Sequence, residues 1–231
     1  YYGKVDNFNS SGSPYFGGVD NWLANGGGAL PFAERFATSL YTGNASGQSI
    51  VSNLNFVTEE GLVWIKGLSN PYDHQLYDVV RGPLDFISSN RTNAAATLAG
   101  TVTAFNADGF NVGTNLGVNN SSSLFVAWQF IKAAGFFDII YFTPTVSVES
   151  VPHLLGVDVG FILAKNTSNT QDWIVYSRGL GATKALQLNT TSAAITSVSY
   201  WNDTEPTTTE FTAGTQFNIG QSYAVYAFAH N

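Results

Sequence analysis

Gly61-Leu62-Val63-Trp64-Ile65-Lys66 is followed about 99 positions later by Gly160-Phe161-Ile162-Leu163-Ala164-Lys165. Both stretches read Gly, four largely apolar residues, then Lys. So short and unbroken an apolar run predicts a strand buried on both faces. The echo continues in order along the chain. Tyr77-Asp78-Val79-Val80-Arg81-Gly82 is answered by Tyr176-Ser177-Arg178-Gly179, and Ser89-Asn90-Arg91-Thr92 by Leu188-Asn189-Thr190-Thr191. Gly109-Phe110-Asn111-Val112-Gly113-Thr114 is answered by Glu210-Phe211-Thr212-Ala213-Gly214-Thr215, and Phe125-Val126-Ala127-Trp128-Gln129-Phe130 by Tyr223-Ala224-Val225-Tyr226-Ala227-Phe228. The offsets stay near 97 to 101. That period exceeds those of solenoids and predicts a small domain written twice.

Working outward, short runs separated by turn signals predict strands at 39–42, 49–56, 62–66, 74–80, 84–88, 101–105, 110–113 and 124–131. In the second copy they fall at 137–142, 157–165, 173–176, 186–188, 195–201, 210–213 and 222–229. Asn106-Ala107-Asp108-Gly109 reads as a hairpin turn. Asn93 to Ala96 and Ala182 to Ala185 each have the makings of one helical turn. This rhythm predicts an all-β chain of two tandem β-sandwich repeats, jelly-roll or lectin-like, over 37–134 and 135–231. The alternative is one composite lectin-like sandwich drawing strands from both repeats. Residues 1–36 read as an irregular N-terminal arm cut by Gly and Pro, its aromatics packing on this chain's own sandwich or on a partner subunit.

The chain has 231 residues, 44% of them hydrophobic and only 11% charged, against a usual quarter. Asn, Ser, Thr and Gly fill the polar positions, which suits an extracellular or virion surface. The net charge is −7 and the nine cations are scattered, so no basic stripe exists to grip a phosphate backbone and no nucleic-acid partner is expected. Without Cys there is neither a disulfide framework nor a thiolate metal site. Met is absent too, so the chain is read as processed or as a segment of a longer product. No apolar run approaches the ~20 residues that span a bilayer as a helix, and membrane insertion is not expected. Eight Asn-x-Ser/Thr sequons occur, at Asn9, Asn44, Asn90, Asn119, Asn120, Asn166, Asn189 and Asn202.

No catalytic constellation emerges. His74, His153 and His230 lie far apart and match no metal motif. His74 beside Asp73 reads better as a loop pair capping its own backbone than as a catalytic pair. Glu59-Glu60 would point apart before a strand, where a glycosidase needs two facing carboxyls. No cofactor is expected. Arg81-Gly82 and Arg178-Gly179 end equivalent strands, and a buried Arg bonded to carbonyls or to Asp78 or Asp85 would lock the strand end. Trp64 and Trp128 sit in the most apolar strands and read as core. Trp22, Trp173 and Trp201 lie nearer loops and are the candidate glycan contacts.

Several of these stretches together resemble a known module. They are Tyr41-Thr42-Gly43-Asn44, Gly61 to Lys66, Tyr72-Asp73-His74-Gln75-Leu76-Tyr77-Asp78-Val79-Val80-Arg81-Gly82, Phe105-Asn106-Ala107-Asp108-Gly109-Phe110, Phe125-Val126-Ala127-Trp128 and Trp201-Asn202-Asp203-Thr204. The chain, over roughly Thr38 to His230, resembles a repeated β-rich module of uncharacterised function found in virion structural and tail-fibre-like proteins of tailed phages, notably those of cyanobacteria and marine bacteria. The resemblance implies a β-rich virion protein, often beside lectin-like sandwiches, and brings no catalytic residue. The first 36 residues do not match the lectin-like lead-in of longer members. The expectation is therefore a non-enzymatic virion protein on the particle surface, a tail fibre, spike or decoration. Its partners would be further copies, other virion proteins and host surface polysaccharide. The alternatives are a subunit of an extracellular filament or surface layer assembling through the N-terminal arm, and a carbohydrate depolymerase.

Overall fold

The computed structural model describes residues 34–230. All but the last residues of the expected arm, and Trp22 with them, lie outside the described residues. The rest is all-β. The first half runs through β1 (Phe36–Thr42), β2 (Gln48–Val51), β3 (Gly61–Gly67), β4 (Gln75–Asp78), β5 (Asp85–Ser88), β6 (Ala96–Thr97), β7 (Val102–Asn106), β8 (Gly109–Val112) and β9 (Leu124–Ile131). The second runs through β10 (Phe137–Phe142), β11 (Glu149–Pro152), β12 (Val159–Asn166), β13 (Ile174–Ser177), β14 (Lys184–Ala185), β15 (Ile195–Thr196), β16 (Glu210–Ala213) and β17 (Tyr223–Ala229).

The first half's large sheet has the order β1-β9-β3-β4-β5-β6, and the second half's has β10-β17-β12-β13. Place for place, the first four strands correspond. The small sheets correspond as well, with β2 on β8 in one half and β11 on β16 in the other. Single hydrogen bonds recur at corresponding positions. Val79 N donates to Gly61 O, and Arg178 N to Gly160 O. Gly113 N donates to Thr101 O, and Gly214 N to Tyr200 O. The glycine that opens β3 is dictated by crowding: a Cβ on Gly61 would lie 2.6 Å from both Phe130 O and the Phe56 ring.

Three apolar clusters layer the molecule. In the first half, Val63, Ile65, Phe125 and Ala127 on one face of the large sheet meet Ile50, Phe110 and Val112 of the small one. In the second half, Ile162, Ala164 and Val225 meet Val151, Phe211 and Trp201. The third cluster lies between the halves, where Leu62 and Leu76 pack with Phe137, Ile139, Leu163, Trp173 and Tyr226. Each large sheet is therefore covered on both faces, which is why β3 and β12 carry unbroken apolar runs where a half-solvated strand would alternate.

Two segments differ from the expected secondary structure. The expected strand over 195–201 is a two-residue strand followed by a helical turn, Val198–Trp201. The Ser197 side chain caps that turn by accepting from Ser199 N. Residues 93–96 and 182–185 form no helix; among the described residues the other helical turn is Leu116–Asn119, capped by Asn115. Over 49–56 the strand stops at Val51, and buried Leu54 and Phe56 then fill the core from a loop.

A buried polar cluster ties the halves together. Asp78, at the end of β4, is wholly buried. Its Oδ2 accepts from Arg81 Nε at 2.7 Å, from Tyr226 OH at 2.7 Å and from Tyr141 OH at 2.9 Å, the two phenols coming from the second half. Arg81 also donates through Nη2 to Leu76 O at 2.9 Å and to Tyr226 OH at 3.2 Å. Burial opposes the Arg81 charge, but Tyr226, Asp78 and Tyr141 outweigh it and hold the guanidinium protonated. Burial foremost drives Tyr226 and Tyr141 upward, so both keep the protons they donate. In the second half Ser177 stands where Asp78 does. There Arg178 pairs with Asp158 at 2.9 Å, with the two side chains 39% and 45% exposed.

Lys165 is a second tie. Its wholly buried Nζ donates to Asn166 O and Gln171 O at 3.0 and 2.9 Å, and across the halves to Thr92 O at 3.0 Å. Burial pushes this ammonium down to about 8 against the pull of Asp172, so it is still charged at neutral pH.

Stranding the Arg81 charge by Asp78→Ala is expected to lower unfolding stability by about 3–5 kcal/mol, and removing one donor by Tyr226→Phe by about 1.5–3 kcal/mol. Arg178→Ala, at an exposed pair, is expected to cost less than about 1 kcal/mol. Urea midpoints of the three variants measure this ranking, and equal losses for Arg178→Ala and Asp78→Ala would reverse it.

Candidate functional site

The candidate site is a cleft of about 580 Å³ at the seam between the halves. Trp64, His74, Ser89 and Asn90 line it from the first half, and residues 188–192 from the second. Two equivalent backbone clasps form its frame. Asn90 Oδ1 accepts from His74 N at 3.0 Å while its Nδ2 donates to Asp73 Oδ1 at 2.8 Å. About 99 residues on, Asn189 Oδ1 accepts from Trp173 N at 2.9 Å while its Nδ2 donates to Asp172 Oδ1 at 2.7 Å. Each clasp ties the loop before one strand to the loop after the next, so both asparagines are held in place from two sides. The Asp73 carboxylate also accepts from Arg91 Nε at 2.7 Å. Its desolvation is outweighed by bonds from Arg91 and Asn90, which hold the carboxyl below its usual range.

At the position where the second half buries Trp173, the first half has His74, and there the cleft opens. Burial first and the neighbouring Lys66 second push the His74 imidazole down, and Asp73 opposes them only in part. His74 is therefore neutral at pH 7. Lys66 turns its Nζ to Gly67 O at 2.5 Å. The wall thus presents hydroxyls, side-chain amides, a neutral imidazole and part of an indole, and none of its lining residues is Asp, Glu, Lys or Arg. Trp64 is partly exposed and meets Trp128 edge-on at 5.9 Å. Its indole Nε1 is buried without a hydrogen-bond partner, so Trp64 offers the cleft ring carbon and not a donor.

The placement of the tryptophans corrects the expected contacts. Trp173 and Trp201 are each 0% exposed and touch no surface ligand. Trp173 fills the core between the halves and donates through Nε1 to Ser88 O at 2.9 Å. Trp201 packs in the second half's own core against Tyr176, Phe211 and Phe217. Both lie next to loops in sequence, but those loops fold inward because a large ring gains more from burial than from water. Trp64 and Trp128, expected as core, are the partly exposed pair. The cleft's own residues were missed as a site; the signal available was the equivalence of Asn90 and Asn189 within the repeat.

Among the described residues no group of three or more His, Asp or Glu stands together as a metal site. Glu59 and Glu60 do not face each other across a cleft; Glu60 instead pairs with Lys132 at 2.6 Å, and Lys132 reaches Asp138 at 3.3 Å. Of the sequons, Asn119 and Asn166 are buried and internally bonded, which leaves neither free for a glycan.

The clasps predict that Asn90→Ala and Asn189→Ala each lower stability by about 0.5–1.5 kcal/mol, since each removes the bond to a backbone N–H and one of the bonds to a carboxylate; thermal unfolding of the two variants measures it, and a loss at only one site would break the equivalence. Burial also pushes His153 down, so both it and His74 bind their protons less readily folded than the ~6.5 of an unfolded chain. The unfolded state then holds more protons below pH 6.5, and stability is expected to fall as pH drops from 6.5 through the folded values. Melting temperatures from pH 7.5 to 5 test this, with the slope reduced in His153→Gln.

No curated protein and no solved structure matches the chain. A family described as a domain of unknown function (DUF7483) matches residues 32–231, which span both halves and every residue of the cleft. On that match the chain belongs to this family.

Proposed function

We propose that the chain is a non-enzymatic structural protein of a tailed-phage virion, a fibre, spike or surface decoration that presents a rigid face to its surroundings. The observation that carries this reading is the use made of its ionisable groups. Asp78 with the phenols of Tyr141 and Tyr226, Asp73 with Arg91, Glu60 with Lys132, and Lys165 on three carbonyls each hold one segment of the chain to another. Glu205, which accepts from Tyr176 OH and Ala182 N, does the same. Charges spent on internal ties suit a protein whose work is to keep a shape. The sequence resemblance to phage virion modules supplies the setting, and the low charge with abundant Asn, Ser and Thr suits an exposed surface. Its partners in this reading are further copies, other virion proteins and host surface polysaccharide, met weakly and many times over so that avidity makes the attachment.

Mass spectrometry and antibody labelling of purified particles from the phage encoding the chain test the proposal. The chain is expected at fixed stoichiometry and on the outer surface. Its absence from washed particles would overturn the reading.

A further inference from the structure

We infer that the seam cleft is a binding site for an uncharged oligosaccharide. This deepens the proposed reading by giving the polysaccharide contact a location, and it rests on that reading only for the source of the sugar. At about 580 Å³ the cleft lies within the ~300–1,000 Å³ of ordinary ligand pockets, room for more than one sugar ring.

The lining matches the two-sided chemistry of a sugar, which shows C–H groups on one face and hydroxyls around its edge. Trp64 supplies partly exposed ring carbon to meet the C–H face. Thr191 and Ser192 supply hydroxyls on the opposite wall, beside Thr190, whose own hydroxyl is bonded to Gln187. Asn90 and Asn189 each spend one lone pair and one N–H on their clasp. An amide oxygen takes two bonds and an amide nitrogen gives two. Each asparagine thus keeps one acceptor and one donor for a vicinal diol. The clasps fix both amides before any ligand arrives, which reduces the ordering cost of binding.

The same lining argues against other ligand classes. None of the residues that line the cleft is Asp, Glu, Lys or Arg, so no charged side chain in its wall is there to fix an ionic group. Trp64 and Leu188 are too little apolar surface for a lipid tail. The cleft also lies across the repeat's seam, with one clasped asparagine from each half, so the site exists only when the halves are docked.

The test uses the full purified chain on an array of neutral and acidic bacterial surface oligosaccharides. The follow-up is an amide NMR titration with the best neutral binder. Binding to at least one neutral oligosaccharide is expected, with the side-chain amide signals of Asn90 and Asn189 shifting on titration. Thr191→Arg, an exposed substitution that fills the cleft, is expected to weaken binding at least tenfold with an unchanged melting temperature. Trp64→Phe is expected to keep the fold and weaken binding several-fold. No neutral oligosaccharide bound, binding confined to acidic ones, or binding undiminished in Thr191→Arg would each overturn the assignment. Because the array uses isolated protein, those failures leave the virion reading standing, and absence from particles leaves the cleft standing.

Discussion

A buried carboxylate cannot be left alone, and Asp78 sets the terms for the rest of this structure. Removed from water, its charge needs donors, and a single oxygen takes three. One comes from Arg81 three residues on, and two come from phenols in the other half of the chain. Separating the halves would take both phenols from the carboxylate and expose their apolar surroundings, leaving the ion pair only its bonds within the first half. The surrounding cluster of Leu62, Phe137, Trp173 and Tyr226 supplies that apolar area. Lys165 adds a further tie through Thr92 O. Two halves, each with its own core, thereby become one body.

The repeats diverge where they meet. Strand order, the opening glycines and the asparagine clasps recur, since these make each half fold. Asp78 corresponds to Ser177, Val79 to an exposed Arg178, and His74 to Trp173, since these decide how the halves fit. A duplicated sheet presents the same face twice, and two identical faces would compete for the same contacts. Giving one face the carboxylate and the other the phenols removes that ambiguity. The same asymmetry makes the cleft, because an imidazole occupies less space than the indole in the equivalent position.

Much of the architecture was legible in the chain's own repetition. The unbroken run at 62–66 announced a strand covered on both sides, and β9, β10 and β16 fall on their expected residues. What was hidden is what depends on distant residues. The segment over 195–201 has β-branched and aromatic residues at strand-like spacing, yet Ser197 caps a helical turn that drops Trp201 into the core. Trp173 and Trp201 sit beside turns in sequence, which says nothing of whether those turns face water. The role of Arg81 was visible as a buried arginine near Asp78, but its phenol partners lie about 60 to 150 residues away. The cleft forms only between halves, so no single stretch carries its signature.

The account stands on the halves forming one cooperative body, and differential scanning calorimetry of the whole chain tests that most directly. One transition is predicted, with the calorimetric enthalpy equal to the van't Hoff enthalpy. Two transitions, or a calorimetric enthalpy near twice the van't Hoff value, would show that each half unfolds alone and would contradict the account.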